Sequence, residues 1–120
     1  MLKFVTLLKR RSGVSRDEFI DYYERHHAQI GVKYLSGHAS RYVRRYVQPM
    51  PNPVTGILDE PEHDVVMEIW FPDRAAFEAA MARLTEPDVA AEIAEDEERL
   101  FDRSKHRHFF VEERESVLRG

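Results

Sequence analysis

Four segments of the chain carry the apolar, β-branched and aromatic residues that are typical of β-strands. The first, LKFVTLL at residues 2–8, is mostly apolar on both faces, which indicates a strand that is covered on both sides. A proline-rich stretch at 49–63 predicts a long loop. The other predicted strands are RYVRRYVQ at 41–48, DVVMEIWF at 64–71 and KHRHFFVE at 105–112.

Apolar side chains at helical spacing predict a helix between the first two strands. Ser15 and Glu18 have the spacing of a capping box, so we expect Ser15 to cap the backbone N–H of Glu18. Gly31 is expected to end this helix in a left-handed conformation. A second helical unit is predicted to begin after Pro72-Asp73 and to be interrupted by Glu-Pro-Asp at 86–88.

The resulting order, β-α-β-β-α-β, predicts a ferredoxin-like α+β domain over residues 1–120, with an antiparallel sheet that carries both helical units on one face. The opposite face also needs a cover. We expect Trp70, Tyr42 and Tyr46 on that face, where they are too large and apolar for a bare surface. The sequence therefore predicts a homodimer in which two sheets pack together and enclose a barrel-like space.

The composition and the absence of several motifs exclude some classes of function. The net charge of −4 lacks the basic excess of nucleic-acid-binding proteins, and the absence of cysteine excludes disulfides, thiolate metal sites and cysteine nucleophiles. No apolar run approaches the ~18 residues of a membrane span, and the first residues lack signal-peptide features. We therefore expect a cytoplasmic protein without nucleic-acid or membrane partners. Phosphate-loop, G-x-G-x-x-G and G-x-S-x-G motifs are absent, so no cofactor is predicted.

Several short segments near the start of the chain form a familiar pattern: LLKR at 7–10, SRDEF at 15–19, Tyr22-Tyr23 and His27-Ala28. With these segments, roughly the first 47 residues resemble the start of EthD-domain proteins, which belong to the dimeric α+β barrel superfamily. The segment SRYVRRYV at 40–47 resembles the second strand of that family. Tyr23 stands where the family commonly has tryptophan, and Gln29 where it commonly has proline.

The resemblance implies a ferredoxin-like fold, a dimer, and a cleft between sheet and helices that takes small, often hydrophobic molecules. Relatives are connected with ether degradation and with the tailoring of aromatic polyketides. The wider superfamily includes cofactor-free monooxygenases, lactone isomerases, cyclases and haem-binding peroxidases, and the fold alone does not choose among them. The hypothesis is a cofactor-independent enzyme, with an oxidoreductase favoured over a lyase or isomerase. The alternative is a non-catalytic accessory or small-molecule-binding protein.

His27 is the candidate proton-transfer residue. It follows Tyr23 by four residues and Ile20 by seven, so all three share one helical stripe that is expected to face the sheet. A partly buried imidazole can act as a general base or acid near neutral pH. The alternative is a structural histidine that bonds a backbone carbonyl. His26 lies about 100° around the helix and is expected at the surface.

A second constellation combines hydrophobic walls, phenol donors and one carboxylate, which suits an aromatic or phenolic ligand. In this hypothesis Tyr42 or Glu68 assists His27 in catalysis. The alternative is a dimer interface, in which such residues are ordinary. A pair between Arg44 and Glu68 across adjacent strands would be structural. The residues predicted to contact the substrate are Tyr23, Tyr46, Trp70, His106 and His108.

His106 and His108 lie two residues apart in the last predicted strand and so share one of its faces. This spacing is compatible with two metal ligands or with two side chains that line a cavity. No paired carboxylate motif accompanies the two histidines, so no metal site is predicted.

Overall fold

The computed structural model describes all 120 residues. Its centre is a four-stranded antiparallel sheet. The strands are β1 (Leu2–Leu8), β2 (Arg41–Tyr46), β3 (Val65–Phe71) and β4 (Arg107–Phe110). They lie in the order β2-β3-β1-β4, which is the ferredoxin-like α+β arrangement that the element order predicts. Strands β2 and β4 are shorter than the sequence pattern indicates.

The helices cover one face of the sheet. The first unit runs without a break through α1 (Arg16–Tyr22), a π-helical segment (Tyr23–His27) and α2 (Ala28–Leu35). The second unit consists of α3 and α4, and a short 3₁₀ turn follows it before β4. Their bounds are Arg74–Leu84, Pro87–Leu100 and Arg103–Lys105, respectively. No helix has both the length and the apolarity that crossing a bilayer requires.

Local sequence explains where the helices begin. Ser15 Oγ accepts a hydrogen bond of 3.2 Å from the backbone of Glu18, as the capping pattern predicts. Asp73 Oδ1 does the same for Ala76 at 2.8 Å, ahead of α3. Pro87 occupies the first turn of α4, where its missing N–H removes no helical hydrogen bond. The predicted interruption at 86–88 is therefore the start of a new helix.

The prediction that the first helical unit ends at Gly31 is wrong. The helix continues to Leu35, and the left-handed glycine is Gly37, with φ of +86°. Gly31 lies inside α2, where the aromatic ring of Tyr42 approaches the backbone. A Cβ atom at position 31 would lie 2.6 Å from Cε2 of that ring. The glycine therefore permits close packing between α2 and β2 and does not end the helix.

The placement of the β2 tyrosines on the open face is also wrong, because Tyr42 and Tyr46 face the helices. Alternation along a strand tells which residues share a face but not which face the helices cover. Tyr42 contacts both clusters of the hydrophobic core, and Tyr46 contacts the larger cluster. Both tyrosines therefore belong to the layer between the sheet and the helices.

The predicted pair between Arg44 and Glu68 does not form. Arg44 follows Tyr42 on the helix-facing side, where its Nε and Nη2 donate hydrogen bonds of 2.7 and 2.9 Å to the Glu24 carboxylate. Arg45, which points to the opposite side, donates a hydrogen bond of 2.6 Å to Glu68. The two arginines therefore tie β2 to different partners on the two faces of the sheet.

The open face of the sheet combines apolar side chains with charged ones, and Glu68 lies near its centre between Val5 and Val43. Trp70 on β3 has cationic strand neighbours on both sides, with Lys3 Nζ 3.9 Å and Arg41 Cζ 4.5 Å from its ring centroid. The surrounding apolar side chains are Val5, Leu7, Val43, Val66 and Phe109.

Candidate functional site

A cavity of about 490 Å³ lies between the helices and the sheet. All four strands contribute to its floor, and α2, α3 and α4 form its walls. Eleven of its 17 lining residues are hydrophobic, which is typical of sites for small organic ligands. The apolar lining includes Phe4, Leu35, Met67, Ile69, Met81 and Ile93.

His27 lines this cavity at the end of the π-helical segment. Its Nδ1 lies 2.9 Å from Oδ2 of Asp96 on α4. The same carboxylate accepts a hydrogen bond from the Tyr22 hydroxyl, and Asp96 is only 8% exposed. An ionised Asp96 can only accept, so neutral His27 is assigned the Nδ1–H tautomer. This tautomer leaves Nε2 as the basic nitrogen.

Asp96 is the functional residue that sequence reasoning missed. The apolar stripe of α4 runs through Val89, Ile93, Asp96 and Leu100, with steps of four, three and four residues. A carboxylate at a position that helical periodicity assigns to the core is unusual and is itself a sign of a buried polar contact. Because buried carboxylates need hydrogen-bond partners, this signal pointed to a polar residue on a facing helix.

The π-helical segment sets the position of His27. The buried residues on either side of the π turn are Phe19, Tyr23 and Ala28, so the spacing of buried positions lengthens from four to five across this turn. Single π turns inside α-helices are rare and occur frequently at functional sites. The wider turn lets Tyr23 and Ala28 enter the core while His27 remains at the cavity wall.

Phe101 holds the aromatic side chains around His27. Its ring centroid lies 5.3 Å from that of His27 and 5.0 Å from that of His106, both in edge-on geometry. It makes similar contacts with Phe19 at 5.7 Å and Tyr23 at 5.5 Å. Phe101 is 3% exposed. It therefore fixes the His27 ring from one side while Asp96 fixes it through Nδ1.

A polar cavity of about 590 Å³, which we call the polar vestibule, lies next to the apolar cavity. Three of its residues also line the apolar cavity, so the two cavities are adjacent. The polar vestibule is lined by Glu97, Arg103, Ser104, His106 and His108.

Burial changes the protonation of three side chains in the polar vestibule. It lowers the pKa of His106 to about 4 and also lowers the pKa of His108, because burial disfavours a charged imidazole. Burial raises the pKa of Glu97 for the same reason. Both imidazoles are therefore neutral at neutral pH.

The structure brings three of the sequence-predicted site residues to the apolar cavity: His27, Tyr42 and His108. Burial raises the pKa of Tyr42, so its phenol is a protonated hydrogen-bond donor at neutral pH. His108 Nδ1 lies 3.0 Å from the Thr6 hydroxyl. His106 lines only the polar vestibule.

The other predicted residues lie elsewhere. Tyr23 is fully buried beneath His27, and its hydroxyl has no hydrogen-bond partner. Tyr46 donates a hydrogen bond to Glu24 and does not line the cavity. The structure does not bring Glu68 and Trp70 to the cavity, because the strand alternation places them on the open face of the sheet.

No group of three or more His, Cys, Asp or Glu side chains is arranged to hold a metal ion. His26 lies at the surface, as expected, and His63 Nε2 lies 2.9 Å from the backbone carbonyl of Lys105.

The pKa of His106 leads to a testable pH dependence of stability. The ordinary pKa of histidine is 6.5, and burial lowers that of His106 to about 4 in the folded chain. Between pH 6.5 and about 4 the unfolded chain therefore binds a proton at this site that the folded chain does not bind. The contribution of neutral His106 is therefore complete above pH 6.5 and is lost as pH falls toward 4, by about 3 kcal/mol. His106→Phe should remove this loss, so its free energy of unfolding should fall less than that of the wild type.

Urea unfolding of both proteins at pH 7, 5 and 4 measures this difference. Glu97, with a raised pKa, acts in the opposite direction, since its protonated form favours the folded state and its stabilisation is lost as pH rises. Glu97, Arg103 and His108 are present in both proteins, so the comparison isolates position 106. Parallel pH curves would contradict the assignment of a neutral, buried His106.

A family model, the EthD domain, matches residues 11–104. The match covers most of the 120 residues, and the chain therefore belongs to the EthD-domain family. Comparison with curated proteins finds no match.

Solved structures support the same fold. An EthD family protein from Bacillus halodurans has a TM-score of 0.64 at 15% identity, over 95% of this chain and 99% of that chain. HapK from Hahella chejuensis has a TM-score of 0.59 at 14% identity, over 100% and 99%. A dimeric ferredoxin-like protein of unknown function from Bacteroides fragilis has a TM-score of 0.57 at 13% identity, over 92% and 94%. At these identities the likeness concerns the fold.

Proposed function

We propose that this protein binds a small hydrophobic or aromatic molecule in the apolar cavity and moves a proton on it through His27, without a cofactor. One observation carries the proposal: His27, held by the buried carboxylate of Asp96, lines a largely apolar cavity of about 490 Å³. A histidine held by a carboxylate is a common arrangement for general acid–base chemistry.

The geometry suits removal of a proton from an acidic C–H or phenolic O–H group. His27 Nε2 takes the proton, and Asp96 stabilises the imidazolium that forms, because its carboxylate already accepts from Nδ1. The Tyr42 phenol donates a hydrogen bond to the oxygen on which negative charge develops. The resulting carbanion or phenolate then reacts with dioxygen in an oxidation, or is reprotonated elsewhere in an isomerisation.

Thermal unfolding with a panel of quinones, anthrones, phenols and lactones tests the proposal. A ligand at ~100 times its dissociation constant adds about 2.7 kcal/mol of stability, which is a shift of a few degrees. His27→Gln can still donate a hydrogen bond to Asp96, so we expect it to bind the same compound but to lose turnover. Wild-type turnover should depend on pH, because a general base acts only in its deprotonated form. Unchanged turnover in His27→Gln, or the absence of any shift in the wild type, would overturn the proposal.

A non-catalytic binding protein is the second candidate. The Tyr22–Asp96–His27 network favours it, because these hydrogen bonds tie α4 to the first helical unit. A purely structural role would explain the network without any catalysis. In that case binding would be nearly independent of pH, and no compound that binds would turn over.

We further propose a homodimer through the open face of the sheet. The partly exposed apolar side chains of Leu7, Val43, Val66 and Phe109 support it, and two structural neighbours are described as dimeric. Phe109→Asp places a charge at an outward-facing position of β4 that is 40% exposed. We expect sedimentation at micromolar concentration to show a dimer for the wild type and a weakened dimer for this variant. A monomeric wild type would contradict the dimer.

A further inference from the structure

The Asp96 carboxylate has two hydrogen-bond partners, and both belong to the first helical unit. Its Oδ2 lies 2.9 Å from His27 Nδ1, and its Oδ1 accepts a hydrogen bond from the Tyr22 hydroxyl. The side chains of His27 and Asp96 are only 13% and 10% exposed. Because little water reaches this carboxylate, its two donors decide how its negative charge is distributed over the two oxygens.

The Tyr22 hydroxyl is a proton donor at neutral pH. Burial raises the pKa of Tyr22, and the hydrogen bond to Asp96 raises it further, because a phenolate beside a carboxylate is unfavourable. Arg99 acts in the opposite direction, but the net change is upward. A donor on Oδ1 stabilises negative charge there, so less of the charge of Asp96 remains on Oδ2, which faces His27.

A carboxylate with no other donor would hold His27 in its charged form. An acidic group at hydrogen-bond distance favours the imidazolium, and Glu97, which interacts with His27 across the same cavity, acts in the same direction. An imidazolium cannot take a proton from a substrate. A histidine that acts as a base beside Asp96 therefore needs a group that weakens the attraction of this carboxylate for a proton on the imidazole.

We infer that Tyr22 is a positioning residue that keeps His27 in its neutral, proton-accepting form by sharing the Asp96 carboxylate. This inference rests on the proposed function, in which Nε2 of His27 takes the proton. Tyr22 does not line the apolar cavity, so it acts on the reaction only through Asp96 and His27.

Other titratable or charged side chains also surround His27, and a change at Tyr22 leaves all of them in place. They come from the π-helical segment, β2, α4, the 3₁₀ turn and the segment that forms β4. A comparison of variants at position 22 therefore isolates the phenol hydroxyl. These side chains are Tyr23, Tyr42, Glu97, Arg103, His106 and His108.

The protonated fraction of His27 is measured by ¹⁵N NMR of the imidazole during a pH titration of the protein without ligand. In the wild type at pH 7 we expect the neutral form with Nε2 unprotonated. In Tyr22→Phe the ratio of protonated to neutral His27 at pH 7 should rise about two- to tenfold, which is the factor that one hydrogen bond contributes. Phenylalanine retains the ring, so the packing of Tyr22 is preserved.

Tyr34→Phe is the matched control. The Tyr34 hydroxyl donates a hydrogen bond to Glu92, so it also ties the first helical unit to α4, but it bonds neither Asp96 nor His27. If Tyr22 were purely structural, both variants would lower the free energy of unfolding and neither would change the protonation of His27. An unchanged ratio in Tyr22→Phe, or an equal rise in Tyr34→Phe, would overturn the inference.

Incorporation of 3-fluorotyrosine at position 22 tests the same contact in the opposite direction. Fluorine makes the phenol a stronger hydrogen-bond donor and leaves the hydroxyl in place, so the ratio of protonated to neutral His27 should fall below that of the wild type. A rise would contradict the inference. These measurements need no ligand, so failure of the inference is seen in the His27 titration, whereas failure of the proposed function is seen with the compound panel.

Discussion

Asp96→Asn is expected to lower turnover by His27 about 10²–10⁴-fold, because it removes the carboxylate that fixes the imidazole. The asparagine amide presents both a donor and an acceptor to Tyr22 and His27, so one of their hydrogen bonds is lost or reversed. His27 then populates the tautomer in which Nε2 carries the proton and cannot act as a base. We also expect a loss of about 1–3 kcal/mol in the free energy of unfolding, since the site is buried.

The His27 tautomer is measured directly by ¹⁵N NMR of the imidazole. In the wild type Nδ1 should carry the proton, and in Asp96→Asn the two nitrogens should share it. Glu95→Gln, at the exposed neighbouring position of α4, should change neither the tautomer nor turnover. A wild-type imidazole protonated at Nε2 would contradict the orienting role of Asp96.

Phe101→Ala is expected to destabilise the protein by about 3–5 kcal/mol, which is the range for truncating a buried phenylalanine. Phe101 contacts Phe19, Tyr23, His27 and His106 with its ring, so truncation leaves a cavity that four side chains border. The backbone of Phe101 also bridges to Arg10, so local collapse is restricted.

Urea unfolding at pH 7 measures this loss, and Phe101→Leu is the matched variant. Leucine fills much of the volume of phenylalanine, so Phe101→Leu should lower the free energy of unfolding clearly less than Phe101→Ala does. If Phe101→Ala cost less than about 1 kcal/mol, the packing of His27 and His106 against a rigid aromatic ring would be refuted.

The order of elements was readable from the sequence because each strand and helix has its own periodicity and punctuation. The capping pattern at Ser15 and the break at Pro87 are local features, and both are present in the structure. The end of the first helical unit was not predictable from Gly31, since the contact with Tyr42 that requires a glycine comes from another element.

The site was only partly predictable for a related reason. His27 follows from helical spacing, but its partner Asp96 is 69 residues away and is brought to it only by packing of α4. Tyr42 and Glu68 were grouped because alternation defines two faces for each strand and does not pair the faces of different strands. The π turn at Tyr23–His27 leaves no reliable mark in sequence, yet it determines which residues of that segment reach the cavity.

Binding of a small hydrophobic or aromatic molecule in the apolar cavity beside His27 can be observed directly by methyl NMR of the four methionines. Met67 and Met81 line the cavity, whereas Met1 and Met50 are 71% and 83% exposed and serve as internal controls. Titration of ¹³C-methyl-labelled protein with the panel of quinones, anthrones, phenols and lactones should shift Met67 and Met81 and leave the other two unchanged. If the resonances of Met67 and Met81 did not shift with any compound, binding of these molecules in the apolar cavity would be contradicted.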